Sequence, residues 1–250
     1  LVRVVNDGWS GSGLKFQPWR SQYHGNADIV GDGGTNSLLE CGLSHKKLQQ
    51  QCGFRLSALD GCLVSHEHKD HSRCVDKLLA TGVPVYLSQG TAAALELPEK
   101  LLELATEMEA GQQFTIKSMD ILPFPTFHDA REPLGFVMQS RVDGDICVFA
   151  TDTVSLPYRF PGVNILAVEA NYQQDILDRC QRMPEKTQHR VACSHMDIDT
   201  LCKCLAGMDL SRCREIILLH LSDATSHEGQ FINKVKRIVP PSVRVWAAAR

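Results

Sequence analysis

The sequence predicts a layered α/β protein, on three observations. Short apolar runs of strand length alternate with segments whose apolar residues recur at helical spacing. Turn-forming clusters of glycine, proline and aspartate separate them. The chain has 250 residues, 43% hydrophobic and 22% charged, an ordinary globular composition that can bury a sizeable core. Strands flanked by helices over this length give stacked layers.

Each element follows in order. Asp7 to Gly13 (DGWSGSG) is a loop by composition. Ala27 to Val30 and Ser37 to Cys41, split by Gly31-Asp32-Gly33-Gly34, form a hairpin. Ser44 to Cys52 is helical with Leu48 inward, Leu59 to Ser65 is a buried strand, Val75 to Ala80 a helix and Val83 to Leu87 a strand. Leu95 to Ala110 reads as one helix through Leu97, Leu101, Leu104, Ala105 and Met108. Strands then dominate: Phe114 to Ile116, Met119 to Pro123, Leu134 to Ser140, Asp145 to Ala150 and Ile165 to Glu169. Ile198 to Leu205 is a helix, Glu215 to Leu219 a strand, Glu228 to Ile238 a helix and Val243 to Trp246 a closing strand. With no repeat or linker, the expectation is a single domain over residues 1–250, with 1–20 as an N-terminal extension.

Bulk properties exclude several classes. No apolar run reaches the roughly 18 residues of a membrane span, so no membrane partner is expected. No secretory signal is recognisable, and a cytoplasmic location is the expectation. The net charge of -3 argues against a globally basic nucleic-acid binder, though a local basic patch stays open. The 10 cysteines include no CxxC pair and read as reduced, with Cys62, Cys147, Cys193 and Cys202 as buried small hydrophobes.

The chemistry concentrates in residues 62–73, CLVSHEHKDHSR. A buried apolar run stops at His66, His68, Asp70 and His71. Neutral imidazoles and carboxylates together bind borderline divalent metals. In extended backbone His66 and His68 point to one side, and Asp70 and His71 follow where the chain can curl. Two points of ligation result, suited to two nearby metal ions. Such a site needs further ligands, and other strand ends offer them. His128, Asp152 and His220 each follow an apolar run, as His66 does. A lone histidine at a strand end is unremarkable; four such endings in one chain are not four independent accidents.

With these residues in hand, the sequence resembles the metallo-β-lactamase superfamily, in its small single-domain branch that includes the WalJ-like proteins, with ribonuclease Z, ribonuclease J and the cyclic phosphodiesterases as more distant relatives. HEHKDH at 66–71 carries the likeness. SQYHGN at 21–26, LLECGL at 38–43, HDA at 128–130, TDT at 151–153 and HLS at 220–222 support it. The resemblance implies an αββα sandwich: two mixed β-sheets face to face, with helices on both outer sides. It implies that His66, His68 and His128 hold one metal, that Asp70, His71 and His220 hold a second, and that Asp152 bridges them. It departs from the pattern at Glu40, where relatives carry aspartate, so the support of the metal-binding loop would shift. Residues 1–20 match nothing in the family; Trp9 and Trp19 there would cover part of the core or of the site.

The function implied is that of a binuclear metal-dependent hydrolase, a phosphodiesterase or nuclease using a metal-bridging hydroxide. The cofactors would be two divalent ions, zinc before manganese or iron. Asp70 would orient the attacking oxygen and accept its proton. His195, 25 positions before His220, is either a buried structural histidine or the group that protonates the leaving oxygen. The alternative is a hydrolase of another ester, a thioester or lactone, on the same metals. His24, Asn26 and Arg131 are the candidates for substrate contact, the substrate being a phosphodiester or a nucleic acid. Lys186, Arg190, Lys234, Lys236 and Arg237 are the other basic candidates. A homodimer stays open.

Overall fold

The computed structural model describes residues 13–20 and 25–248. The described chain divides into two compact units. The first runs to Pro125 and includes Ala130–Asp145; the second comprises Thr126–Asp129 and Ile146–Ala248.

The first unit contains a six-stranded sheet. Its strands are β1 (Lys15–Arg20), β2 (Ala27–Gly31), β3 (Asn36–Leu39), β4 (Gly61–Leu63), β5 (Val85–Leu87) and β6 (Thr106–Glu107), in spatial order β1 to β6. The first two pairings are antiparallel and the rest parallel. The hairpin expected at 27–41 is present, with Asp28 opposite Leu39. Helices α1 (His45–Gln51), α2 (Lys69–Ser72), α3 (Val75–Ala80), α4 (Gln89–Ala94) and α5 (Glu99–Leu102) interleave with these strands. Ile29, Leu38, Val64, Leu78 and Val85 form their buried core, and Trp19 packs against it. Part of the expected N-terminal extension is therefore strand β1. Trp9 and the other residues of 1–12 lie outside the described residues.

One expected helix is absent. Leu95 to Ala110 holds the C-cap of α4 at Leu95, the short α5 and strand β6. Pro98 explains it: proline lacks the N–H that would continue a helix and disfavours helical backbone at the preceding Leu97. Of the apolar residues that read as one long helix, only Leu101 lies in a helix, α5, while Leu97 and Ala105 reach the core from non-helical backbone. The first unit is completed by antiparallel strands β7 (Phe114–Ile116), β8 (Met119–Pro125) and β9 (Leu134–Ser140). β7 and β8 are joined by Lys117-Ser118, with Lys117 at φ 47°, the left-handed turn geometry of a tight hairpin.

The second unit is built on parallel strands β10 (Ile146–Ala150), β11 (Ile165–Glu169), β12 (Glu215–Leu219) and β13 (Arg244–Ala247), paired in that order. β11 is buried along its whole length. That is the continuous apolar pattern of a parallel strand covered on both faces. Helices α6 (Gln174–Leu177), α7 (Glu185–Ser194), α8 (Ile198–Ala206) and α9 (Glu228–Lys236) complete it. Asp197 caps α8, its side chain accepting from the N–H groups of Asp199 and Thr200. α7, which the sequence pattern does not show, packs through Val191 on Tyr172 and Leu177. Only a few of its ten residues are apolar, so its periodicity is faint.

Among the cysteines, Cys62 and Cys147 are buried as expected, but Cys202 is half-buried and Cys193 is exposed on α7. None is in a disulfide. No helix among the described residues is long and apolar enough to cross a membrane.

Candidate functional site

The first unit presents its ligands on one short stretch. β4 ends at Leu63, irregular backbone with a bend at Glu67 runs to His68, and α2 starts at Lys69. His66 and His71 are buried, His68 and Asp70 half-buried. His66 Nε2 lies 3.0 Å from His68 Nδ1. Asp70 Oδ2 lies 3.3 Å from His71 Nε2. The rings of His66 and His71 are 4.2 Å apart. Donor atoms that would each bind one cation thus converge within a single turn of chain.

Backbone clamps hold this turn. Asn26 N–H donates to the Asp70 carbonyl (2.6 Å) and Cys41 N–H to the His71 carbonyl (2.7 Å). Gly42 sits so close to α2 that a Cβ there would stand 1.6 Å from the Asp70 carbonyl oxygen. Gly25, at φ 123°, has the Gly42 carbonyl oxygen 2.3 Å from where its Cβ would be. The GN and ECG segments are therefore backbone cradles for the histidine turn. Glu40 supports it from behind. The residue is fully buried at φ 64°, accepts from the Ser65 N–H at 3.3 Å, and places Oε2 3.5 Å from His71 Nδ1. Glu40 thus touches the histidine turn at Ser65 and at His71. Burial, and then the charge of Glu40, hold the neighbouring Asp28 carboxyl well above its usual range.

Asn26, a candidate for substrate contact, is buried. Its amide Nδ2 lies 3.0 Å from His71 Nε2 and 3.4 Å from Asp70 Oδ2, so it touches the histidine turn. Arg131 is exposed, and its backbone N–H donates to Glu67 Oε1 at 2.8 Å, beside His66 and His68. His24 lies outside the described residues.

The second unit gathers its donors from strand ends far apart in sequence. Asp152 follows β10, Glu169 ends β11, His195 follows α7 and His220 follows β12. One ligand atom from each of these four buried residues lies within 4.8 Å of the others. Asp152 (φ 37°) and His220 (φ 54°) both have left-handed backbone, as Glu40 does. Non-glycine residues pay for that conformation, by about 1 kcal/mol each, and such outliers cluster at working sites. His128 Nε2 stands 3.5 Å from Asp152 Oδ2 and 3.2 Å from Asp129 Oδ1. Arg190 holds Asp129 through two nitrogens, at 2.5 and 3.3 Å.

The imidazole protons are assigned by their partners. His128 Nδ1 is 2.6 Å from the Ser194 carbonyl, which can only accept, so Nδ1 carries a proton and Nε2 is the nitrogen turned to Asp152. His220 Nδ1 faces Asp152 Oδ1 at 2.9 Å and Glu169 Oε1 at 3.1 Å, which leaves Nε2 as the nitrogen a cation could use. This outward fixing of one ring nitrogen is how proteins orient metal-binding histidines. The donor set of histidines and carboxylates fits a divalent cation.

Glu169 is the residue that sequence reading missed. It accepts from Thr153 N–H (2.8 Å), Met196 N–H (3.1 Å) and His195 Nδ1 (2.6 Å). Burial pushes its carboxyl up, but the His195 charge and the hydrogen bonds of His195 and His220 outweigh it and hold the carboxyl below its usual range. His195 responds in the opposite sense. Burial opposes its charge, while the Glu169 carboxylate favours it more, and the imidazole is held above the ordinary value of 6.5. The signal for Glu169 was present: Ile165 to Glu169 is another apolar run ending in a carboxylate.

Comparison with known proteins follows this geometry. Residues 35–221 match the model of the β-lactamase superfamily domain. The chain belongs to the β-lactamase superfamily. Superfamily relatives include exodeoxyribonuclease YycJ of Bacillus anthracis, 26% identical over 224 residues, covering 84% of this chain and 83% of that protein. Exodeoxyribonuclease WalJ of Streptococcus pneumoniae is 28% identical over 177 residues, 66% of this chain and 65% of the relative. Among solved structures, the metallo-β-lactamase fold protein YhfI from Bacillus subtilis aligns with a TM-score of 0.69 at 16% identity, over 95% of this chain and 97% of that one. The short form of human tRNase Z aligns with a TM-score of 0.57 at 15% identity, over 85% and 91%. The fold is thus the superfamily's α/β arrangement of two mixed sheets with helices, as the resemblance implied.

Proposed function

We propose that this superfamily member is a metal-dependent phosphodiesterase that acts on nucleic acid. The single observation that carries the reading is the His195–Glu169 pair, a buried imidazole whose Nδ1 lies 2.6 Å from a carboxylate that favours its protonated form, within the Asp152–His220 cluster. Phosphodiester hydrolysis expels a poor alkoxide leaving group, and an imidazole so placed is a group that can protonate it. The exodeoxyribonuclease names of the relatives support the same substrate class.

In this reading His66, His68 and His128 would hold one divalent ion and Asp70, His71 and His220 a second, with Asp152 shared and zinc as the fitting metal. When bound, the ions supply a nucleophilic water at neutral pH and charge stabilisation for the phosphoryl oxygens. The chain's residues do the rest. Asp70 orients the water and takes its proton. Glu169 fixes His195 through Nδ1, so that Nε2 faces outward and donates a proton to the departing oxygen. Ser194 and Glu169 lock the tautomers of His128 and His220. Arg131, beside the histidine turn, faces the substrate.

The test is an activity panel on protein of measured metal content. Bis-p-nitrophenyl phosphate and single-stranded DNA should be cleaved, and a thioester should not. Thioester or lactone turnover without phosphodiester turnover would replace this reading with that of another esterase.

A further inference from the structure

The stretch from Arg179 to Arg190 crosses the loop after α6 and enters α7. It carries Arg179, Arg182, Lys186 and Arg190 against one carboxylate, Glu185. This is a local positive excess in a chain whose net charge is -3, and all four cations are exposed. Arg190 is engaged by Asp129. The last helix, the other basic candidate, differs because its Lys234 is paired with Asp199 at 2.6 Å.

The basic stretch is built into the fold. Val191 buries one side of α7 against Tyr172 and Leu177. Lys186, His189, Arg190 and Cys193, spaced by a turn, share another side and line a cavity of about 450 Å³ with Asp129 and Ser194. Arg179, Arg182 and His227 line a second cavity of about 640 Å³, shared with Asp175 and Asp223. Those two carboxylates offset Arg179 and Arg182 in part, whereas Lys186 lines the first cavity with Asp129 as its one carboxylate, which Arg190 already engages. At its far end α7 meets the ligands directly, since the Ser194 carbonyl holds His128 and the next residue is His195.

We infer that Arg182, Lys186 and His189 form a track for the backbone of a single-stranded nucleic acid, leading to the ligand cluster of the second unit. This rests on the phosphodiesterase reading and names its substrate as a strand. The arrangement favours a strand over a lone phosphate or a lipid surface. Arg182 precedes α7 and lines the second cavity, while Lys186 lies in the first turn of α7 and lines the first, so the two are not gathered round one phosphate. No Phe, Tyr or Trp occurs in 179–190, so bases have no stacking platform and the contact is to phosphates, independent of sequence. The same lack leaves no apolar wedge for insertion into a lipid surface.

The experiment measures binding of a fluorescent single-stranded 20-mer to the full chain, with chelator present to prevent cleavage, across a salt series. R182Q/K186Q is compared with K46Q/K47Q, a matched charge change on the exposed face of α1. The first double variant should bind about ten-fold more weakly, with a log–log salt slope shallower by about 1.4, the expectation for two lost phosphate contacts. The second should match wild type. Equal weakening in both doubles, an unchanged R182Q/K186Q, no binding by wild type, or a loss seen only on anionic phosphatidylserine vesicles would each overturn the track. The two readings fail separately. Binding through 182 and 186 without cleavage of any diester on adding zinc or manganese removes the hydrolase and keeps the track. Cleavage of bis-p-nitrophenyl phosphate with unchanged DNA affinity in R182Q/K186Q does the reverse.

Discussion

The two units supply metal-type donors in opposite ways. The first packs His66, His68, Asp70 and His71 into six consecutive residues and holds them with backbone: Asn26 and Cys41 donate to α2 carbonyls, and Gly42 lies where no side chain fits. The second collects His128, Asp152, Glu169, His195 and His220 from five separate places and holds them with one another through carboxylate–imidazole contacts. A local cluster is rigid because the chain turn is rigid. A dispersed cluster is rigid only while the strands that end in it stay in register. The two should therefore answer differently to substitution.

The largest effect is expected from a ligand on either side. His68→Ala and His220→Ala should each reduce phosphodiester hydrolysis to background and lower bound metal, measured by elemental analysis. Full activity in His68→Ala would separate the histidine turn from the chemistry. Next comes His195→Gln, expected to lower kcat by about 10²–10⁴-fold, the range for a lost general acid, with metal content kept. Loss of metal in parallel would make His195 a ligand instead.

Glu169→Gln should cost less, roughly 10–100-fold, the range for a partner that orients an active group, and it carries a pH signature. His195 must be protonated to act, and its folded value is raised above 6.5, with the Glu169 charge as the cause that raises it. Activity should fall as pH rises through that raised value, and in Glu169→Gln the fall should come at lower pH. The same pair has a stability consequence in chelated protein. The His195 part is present below the ordinary histidine value and lost as pH rises through the raised one. The Glu169 part is present above the ordinary carboxylate value of 4.5 and lost as pH falls through its lowered one. The Tm difference between wild type and Glu169→Gln should therefore be widest between those limits. A pH-independent difference would mean that packing, not charge, is what Glu169 supplies.

The smallest chemical change tests the local cluster. Gly42→Ala adds one methyl against the Asp70 carbonyl and should destabilise by about 3 kcal/mol, at the upper end for forced overpacking. That corresponds to a fall in Tm of roughly 6–12 °C, read by thermal denaturation. An unchanged Tm would show that α2 can move away from Gly42, and that the backbone clamp is not what fixes the turn.

Much of the fold was legible because burial writes itself into sequence. β7, β9, β11, β12 and α3 lie at their expected bounds, each an apolar run or stripe between clear breaks. The helix expected over 95–110 failed where a proline overrode periodicity, and α7 was missed because few of its residues are apolar. In the site, HEHKDH could be read directly, and His128, Asp152 and His220 as strand ends. Glu169 escaped because a glutamate closing a buried strand looks like any strand end until His195 and His220 are seen to share it.

By itself, the sequence determined which donors exist and that apolar strands deliver them, since hydrophobic period and residue chemistry are local properties. Only the tertiary structure decided which nitrogens of His128 and His220 meet fixed partners, that Glu40, Asp152 and His220 take left-handed backbone, and that Glu169 favours the protonated form of His195. These depend on groups brought together by the fold from positions up to 66 residues apart, and no local pattern encodes such a meeting.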